Sequence, residues 1–143
     1  MLSQTYPVAI QTNYMVNLPT PGAPSTTNLI SALDSGKTLI LLNNANAQTF
    51  TLPLTAPGLR YRIMVGGATA GAIMTITTNP IAVLYGAIYF LNAGALTATP
   101  ASESTSVRFA AASALGDYVD LNCDGQFWYL SGLSRINNGL TIA

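Results

Sequence analysis

Three oxygen-bearing side chains stand at alternate positions before a glycine, and together they could begin a cation-binding loop. The run is Asp120, Asn122 and Asp124, followed by Gly125. Alternate oxygens converge on a calcium ion when the chain turns at the glycine, but such a loop also requires a bidentate carboxylate at its twelfth position. Ser131 stands there, and no helical pattern flanks the run. Because Asp-Gly is also a favoured pair for a tight hairpin turn, we predict a turn and no bound metal.

A second run, Ser35-Gly36-Lys37-Thr38, matches the end of a phosphate-binding loop. That loop needs a glycine where this chain has Ser31, and a helix after it whose N-terminal N–H groups hold phosphate. The residues that follow, LILLN, form a strand-like run instead. We therefore predict a turn that opens a strand, and no nucleotide or other cofactor.

Catalytic chemistry has few side chains to use in this sequence. Histidine is absent, which removes the usual general base and the usual serine triad. The single cysteine, Cys123, has no basic neighbour to activate it, so we interpret it as a small core residue. Asp117 and Asp120 are the nearest pair of carboxylates, but a strand would direct them to opposite faces. We predict no catalytic residues, and a protein that is not an enzyme.

Charge is scarce across the whole chain. Of 143 residues, 7% are charged, five basic and five acidic, against about 25% in an ordinary soluble domain. Five scattered basic residues are too few to bind nucleic acid or an anionic membrane surface. The apolar stretch 80–98 contains Gly86, Asn92 and Gly94 and lacks basic flanks, so we do not expect it to span a membrane. A neutral surface with few charges favours association, so we expect partners or hydrated Ser, Thr and Asn side chains to cover it.

Residues 1–26 differ from the rest of the chain. Prolines at positions 7, 19, 21 and 24 remove backbone donors and exclude a helix or a central strand. Apolar residues at even positions are typical of a strand with one buried face, and here they are Tyr6, Val8, Ile10, Tyr14 and Val16. We predict an extended arm over residues 1–26 that adds a strand to a neighbouring subunit, a disordered terminus being the alternative. A single domain follows over residues 27–143.

From residue 27 onwards, short apolar or alternating runs are separated by turn signals such as Gly66-Gly67 and Asn79-Pro80. The runs cover residues 37–43, 48–53, 59–65, 72–78, 81–91 and 106–110. Short strands at such spacing indicate an antiparallel sandwich or barrel. We predict an all-β fold, an antiparallel β-sandwich with a jelly roll as one arrangement.

The clearest local unit is a hairpin over residues 117–132 that turns at an Asp-Gly pair. A two-residue loop would place Leu121 opposite Trp128 and Val119 opposite Leu130. These four residues would then form one buried apolar face. A loop one residue longer would change the pairing.

The aromatic residues also support a second interpretation, a surface on which sugars stack. The candidates are Tyr85, Tyr89, Phe90, Phe127, Trp128 and Tyr129. Aromatic residues in an uncharged sandwich are more often part of the core or of a subunit interface. Carbohydrate binding is therefore the alternative function.

Four short motifs stand out between residues 35 and 132. They are a Thr-x-Thr-Leu-Pro strand at 49–53, Gly-Leu-x-Tyr at 58–61, Gly-Asp-x-Val at 116–119 and Asp-Gly-x-x-Trp-Tyr-x-x-Gly at 124–132. With these motifs, most of the chain resembles a small β-domain of virion structural proteins. Domains of this kind belong to capsid decoration, minor capsid and fibre-type proteins of large double-stranded DNA viruses and tailed phages. The resemblance implies a virion component that is commonly multimeric and often trimeric, and it assigns no catalytic residues.

Low charge, the apolar arm and the resemblance lead to one expectation. We expect a minor capsid or capsid decoration (cement) protein, located in the capsid shell or on its surface, that stabilises the capsid through subunit contacts. Its expected partners are further copies of itself, a trimer being favoured, and the major capsid protein or other virion proteins. The alternative is a receptor- or glycan-binding module at the tip of a fibre or spike.

Overall fold

A computed structural model describes residues 15–18, 26–42, 44–67 and 70–143, with the backbone alone for residues 15–18 and 26–27. These residues form twelve strands and one short 3-10 turn at Ala32–Asp34. The strands are β1 (Met15–Leu18), β2 (Thr26–Leu29), β3 (Thr38–Leu41), β4 (Gln48–Thr51), β5 (Pro57–Val65), β6 (Met74–Thr77), β7 (Leu84–Asn92), β8 (Ala95–Ser104), β9 (Ser106–Phe109), β10 (Tyr118–Asp124), β11 (Trp128–Ser134) and β12 (Leu140–Ile142). The predicted all-β class is confirmed.

Two sheets pack against each other around a single apolar core. The seven-stranded sheet has the order β1-β3-β5-β10-β11-β7-β8, and the five-stranded sheet has the order β12-β9-β6-β4-β2. Inward-facing side chains of both sheets, such as Ile63 and Trp128 from one and Phe50 and Phe109 from the other, belong to one buried cluster. Full burial of an apolar side chain of this size stabilises the fold by about 1.5–3 kcal/mol. This arrangement confirms the predicted β-sandwich.

Pairing within the sheets is mixed, which differs from the antiparallel pairing that the sequence predicted. The first six strands alternate between the two sheets, so that β1, β3 and β5 are parallel neighbours, as are β2, β4 and β6. The chain then returns through antiparallel ladders such as β7 with β8 and β10 with β11. Hydrophobic alternation identifies a strand and its buried face but not its neighbour. The parallel ladders also depart from a jelly roll, which is an antiparallel architecture.

The hairpin of β10 and β11 is present, but its turn lies one residue later than predicted. The N–H of Asp124 donates to the carbonyl of Phe127 at 3.3 Å, so the two-residue loop is Gly125-Gln126. Leu121 therefore lies opposite Leu130 rather than Trp128. Each partner is displaced by two residues, and because side chains alternate with period two, the buried face is unchanged.

The four residues of this face are all buried. Val119, Leu121 and Trp128 have no exposed surface, and Leu130 is almost fully covered. Val119 lies opposite Gly132.

Candidate interaction surfaces

The run from Asp120 to Asp124 builds the outer end of the hairpin. The carboxylate of Asp124 accepts hydrogen bonds from the N–H groups of Gln126 and Phe127, each at 2.8 Å, and from the Tyr129 hydroxyl at 2.9 Å. The N–H donors of Phe127 and Gln126, and then the Tyr129 hydroxyl, lower the pKa of Asp124 below its usual value. The same contact raises the pKa of Tyr129. This carboxylate therefore closes the turn.

Asp120 is occupied by an ion pair on the outer face of the seven-stranded sheet. Arg62 reaches it from β5 in a bidentate contact, with Nε at 2.7 Å and the terminal nitrogen at 2.6 Å. The guanidinium carbon also lies 4.6 Å from the centre of the Tyr118 ring, so both the carboxylate and the ring face hold Arg62 in place. The hydrogen bond that Arg62 donates to Asp120 raises the pKa of Arg62 above its ordinary value. Among the described residues, no group of three or more His, Cys, Asp or Glu side chains is arranged to hold a metal ion.

Ser35 to Thr38 form a turn that leads into β3. Gly36 has a φ of +86°, and its N–H donates to the Arg60 carbonyl at 2.7 Å. The ammonium group of Lys37 lies 2.6 Å from the Asp34 carboxylate. The glycine N–H that a phosphate-binding loop would present to its ligand is thus used within the fold.

A shallow groove of about 350 Å³ runs along this charged half of the outer face. Its lining includes Lys37, Arg60 and Arg62, which are three of the chain's five basic residues. Asp34 and Asp120 neutralise two of them. The groove therefore has little net charge.

The other half of the outer face is aromatic and apolar. Tyr129 lies beside Tyr85, and Leu133 beside Tyr89, on the paired strands β11 and β7. The Tyr85 and Phe127 rings are nearly perpendicular, and their centroids lie 5.3 Å apart. Tyr89, Tyr129 and Leu133 are all exposed. Leu91 and Leu96, also exposed, lie opposite each other at the end of the β7–β8 hairpin. We call the set of Tyr89, Leu91, Leu96 and Leu133 the apolar stripe.

Further apolar side chains are exposed at the loop end of the five-stranded sheet. Leu29 and Leu54 line a cavity of about 440 Å³ where β2 and β4 end. Leu33 and Ile81, which lie in turns, are 88% and 83% exposed. Single exposed apolar side chains are common on protein surfaces, and contiguous apolar patches are the ones that mark interaction sites.

The aromatic residues considered for sugar stacking are divided by the fold. Trp128 has no exposed surface, and the centroid of its ring lies 5.9 Å from that of Tyr61 in the core. It therefore cannot stack on a ligand. Phe90 is 7% exposed. Tyr85, Phe127 and Tyr129 remain together on the outer face. The structure thus brings three of the six candidates into one surface cluster.

The arm residues have different outcomes. Tyr6, Val8, Ile10 and Tyr14 lie outside the described residues. Val16 lies in β1, where its backbone is opposite Leu39 of β3 at the edge of the seven-stranded sheet. This part of the predicted arm is therefore a strand of the sandwich itself.

Two side chains that the sequence analysis considered for catalysis, Asp117 and Cys123, are buried. Asp117 is 1% exposed and accepts hydrogen bonds from the Ser134 hydroxyl at 2.7 Å and from the N–H groups of Ala114 and Arg135 at 2.9 and 3.0 Å. Sequence reasoning considered Asp117 for catalysis and missed this anchoring role, because its three donors come from two separate segments. Cys123 is a free, buried thiol.

Comparison with known proteins yields no match to a family model, to a curated protein or to a solved structure. Among the described residues, no helix has the length and apolar character needed to span a membrane.

Proposed function

We propose that this protein is a virion structural component, a minor capsid or capsid decoration protein that stabilises a capsid through subunit contacts. The observation that carries the proposal is the apolar stripe on the outer face of the seven-stranded sheet. Its exposed side chains come from three strands, and tyrosine is enriched at protein interfaces. The resemblance of residues 35–132 to virion β-domains supports the same class of function.

The chemistry of these surfaces favours protein partners of similar character. Apolar burial is non-directional and scales with area, so an apolar face with little net charge suits a neighbouring sheet or a second copy. At the charged end of the face, Lys37 is paired with Asp34 and Arg62 with Asp120, so most of the charge there is neutralised within the chain. We expect self-association, a trimer being favoured, followed by contact with the major capsid protein or other virion proteins at the capsid.

The first test is the mass of the purified protein in solution. Light scattering over a series of protein and salt concentrations should give a multiple of the mass of one chain, with a trimer as the expected species. Contacts made by apolar side chains are screened little by salt, so the mass should stay constant as salt rises. A monomer at every concentration would contradict self-association, and failure to co-sediment with capsids would contradict the virion role.

A specific observation also favours the glycan-binding alternative. Tyr85, Phe127 and Tyr129 form an aromatic surface cluster next to the Asn122 amide, which lies opposite Tyr129. Aromatic faces beside hydrogen-bonding groups are suited to sugars. On a glycan array, specific binding that Tyr129→Ala abolishes and Tyr89→Ala leaves unchanged would favour this alternative over a capsid role.

A further inference from the structure

One row of side chains crosses the outer face of the seven-stranded sheet near the turn between β10 and β11. Arg60 of β5 lies opposite Asn122 of β10, Asn122 lies opposite Tyr129 of β11, and Tyr129 lies beside Tyr85 of β7. The first three residues are exposed and Tyr85 is partly exposed. Neighbouring strands lie about 4.7–4.9 Å apart, so the three intervals give a row of roughly 14 Å. We call these four residues the outer row.

The positive charge of Arg60 is not used within the fold. Three of the five basic residues form ion pairs with aspartates. Among the residues that the structure describes, the other two, Arg60 and Arg108, form none, and Arg108 lies on the five-stranded sheet. Because Lys37 and Arg62 are paired, the groove that they line with Arg60 retains the single positive charge of Arg60.

The amide of Asn122 stands next to this charge. It lines the same groove, and within the described part of the chain its side chain has no hydrogen-bond partner. A guanidinium binds a planar carboxylate through two parallel hydrogen bonds, and a side-chain amide both donates and accepts, as hydroxyl groups require. The two side chains together therefore suit a ligand that carries a carboxylate close to hydroxyl groups.

Tyr129 and Tyr85 form the other end of the outer row. Tyr129 is 45% exposed, and its hydroxyl donates to the Asp124 carboxylate at 2.9 Å, which holds the ring in place. The Tyr85 hydroxyl lies 3.5 Å from the Glu103 carboxylate. These two carboxylates repel a second anion at this end, whereas the tyrosine rings offer apolar faces to a neutral ring. The outer row thus has a cationic end and an aromatic end.

Small side chains adjoin the aromatic end and leave room for a ligand. At the next outward position of the same two strands, Ser131 lies beside Ala87. The stripe residues Leu133 and Tyr89 follow four residues after Tyr129 and Tyr85, a distance of about 13 Å along a strand. A ligand on the outer row therefore leaves the apolar stripe free for contacts between subunits.

We propose that the outer row binds a short glycan whose terminal sugar carries a carboxylate. The carboxylate pairs with Arg60, the adjacent hydroxyl groups bond to Asn122, and the neutral sugars behind it stack on Tyr129 and Tyr85. The inference rests on the glycan-binding alternative given above, to which it adds Arg60 and a class of ligand. It does not depend on the apolar stripe.

A glycan array with matched ligands tests the carboxylate. Each glycan with a terminal carboxylated sugar is printed beside the same glycan after its carboxyl group has been reduced to an alcohol. The protein should bind the carboxylated forms, and reduction should weaken binding by roughly tenfold or more, because a charge-assisted hydrogen-bonded pair is lost. Titration calorimetry with the strongest array ligand and its reduced form measures the factor.

Two arginine variants test the position of the site. Arg60→Gln should weaken binding of the carboxylated glycan by a similar factor of roughly ten or more. The matched control is Arg108→Gln, which removes the same charge from the other sheet and should leave binding unchanged. Thermal melting should show that both variants are folded.

Four outcomes would overturn the proposal, and they separate it from the glycan-binding alternative. Equal losses in the two arginine variants would mean that net charge drives binding. Equal binding of the reduced glycans, abolished by Tyr129→Ala, would remove the carboxylate and leave the alternative standing. Absence of binding to every glycan would remove both. A polyglutamate peptide that binds through Arg60 as tightly as the glycan would assign the site to carboxylates of a protein.

Discussion

Asp117 holds two segments of the chain together from a fully buried position. Its carboxylate accepts from Ser134, Arg135 and Ala114, and a buried donor left without its partner costs about 1–3 kcal/mol. We expect Asp117→Ala to lower the free energy of unfolding by about 3 kcal/mol, measured by urea denaturation. Asp120→Ala is the control, because its ion pair with Arg62 is partly exposed and is worth about 1 kcal/mol or less. Equal losses in the two variants would contradict the anchoring role.

Asp124 gives a dependence on pH whose direction follows from its hydrogen bonds. Its folded-state pKa lies below the ordinary value of 3.8 because the N–H groups of Phe127 and Gln126 favour the charged form. A lowered pKa contributes stability that is present above the unfolded-state pKa and is lost as the pH falls through the folded-state pKa. Asp124→Asn should therefore melt below the wild type at neutral pH, and the gap should close as the pH falls below 3.8. A gap that stays constant with pH would show that charge is not the cause.

At the scale of elements, Gly86 permits β7 to lie against β11. Its φ is +132°, and a Cβ placed there would lie 1.9 Å from the Leu130 carbonyl oxygen. Gly86→Ala must therefore separate the two strands or distort the backbone. We expect it to lower the melting temperature several-fold more than Gly94→Ala does. Gly94 is the matched control because its φ is also positive, at +83°, but no atom lies within 4 Å of its Cβ position. Thermal melting of both variants would measure the difference, and similar losses would mean that φ alone matters.

The sequence predicts elements better than it predicts their neighbours. Alternating apolar residues in runs such as 48–53 and 59–65 identify strands close to β4 and β5, because burial on one face imposes a period of two. β8 was missed, since its exposed Ser, Thr and Ala residues resemble a loop. The order of strands depends on whether each connecting segment leads to the other sheet or back to the same one. Residues 42–47 connect β3 of one sheet to β4 of the other, and no local sequence pattern in them predicts this change of sheet. The parallel ladders could therefore not be predicted from periodicity.

At the scale of the whole molecule, the candidate surfaces depend on contacts between distant segments. The prediction of a hairpin with buried Val119, Leu121, Trp128 and Leu130 rests on local alternation, and these residues are buried. The pairing of Arg62 with Asp120 joins residues far apart in the chain. The apolar stripe combines β7, β8 and β11. Such surfaces follow from sheet order, which is why the sequence predicted contact through the N-terminal arm and did not identify the apolar stripe.

The apolar stripe should determine the assembly state if it is the interface between copies. Leu133 lies between Tyr118 and Tyr89 on neighbouring strands, exposed at the centre of the face. A lysine at that position must be desolvated on association, because the nearby Asp120 carboxylate is already paired with Arg62, and burying an unpaired charge is costly. We therefore expect Leu133→Lys to shift the protein toward the mass of a single chain in light scattering.

The matched control for this prediction is Ala112→Lys, which adds the same charge in the turn after β9, away from the stripe. It should keep the oligomeric mass, because a lysine at an exposed turn stays hydrated whether or not the copies associate. Far-ultraviolet circular dichroism should show both variants folded, so that a change in mass reports on association and not on unfolding. If Leu133→Lys retains the wild-type mass, the stripe is not the contact between copies, and the exposed apolar residues at the loop end of the five-stranded sheet become the surface to test.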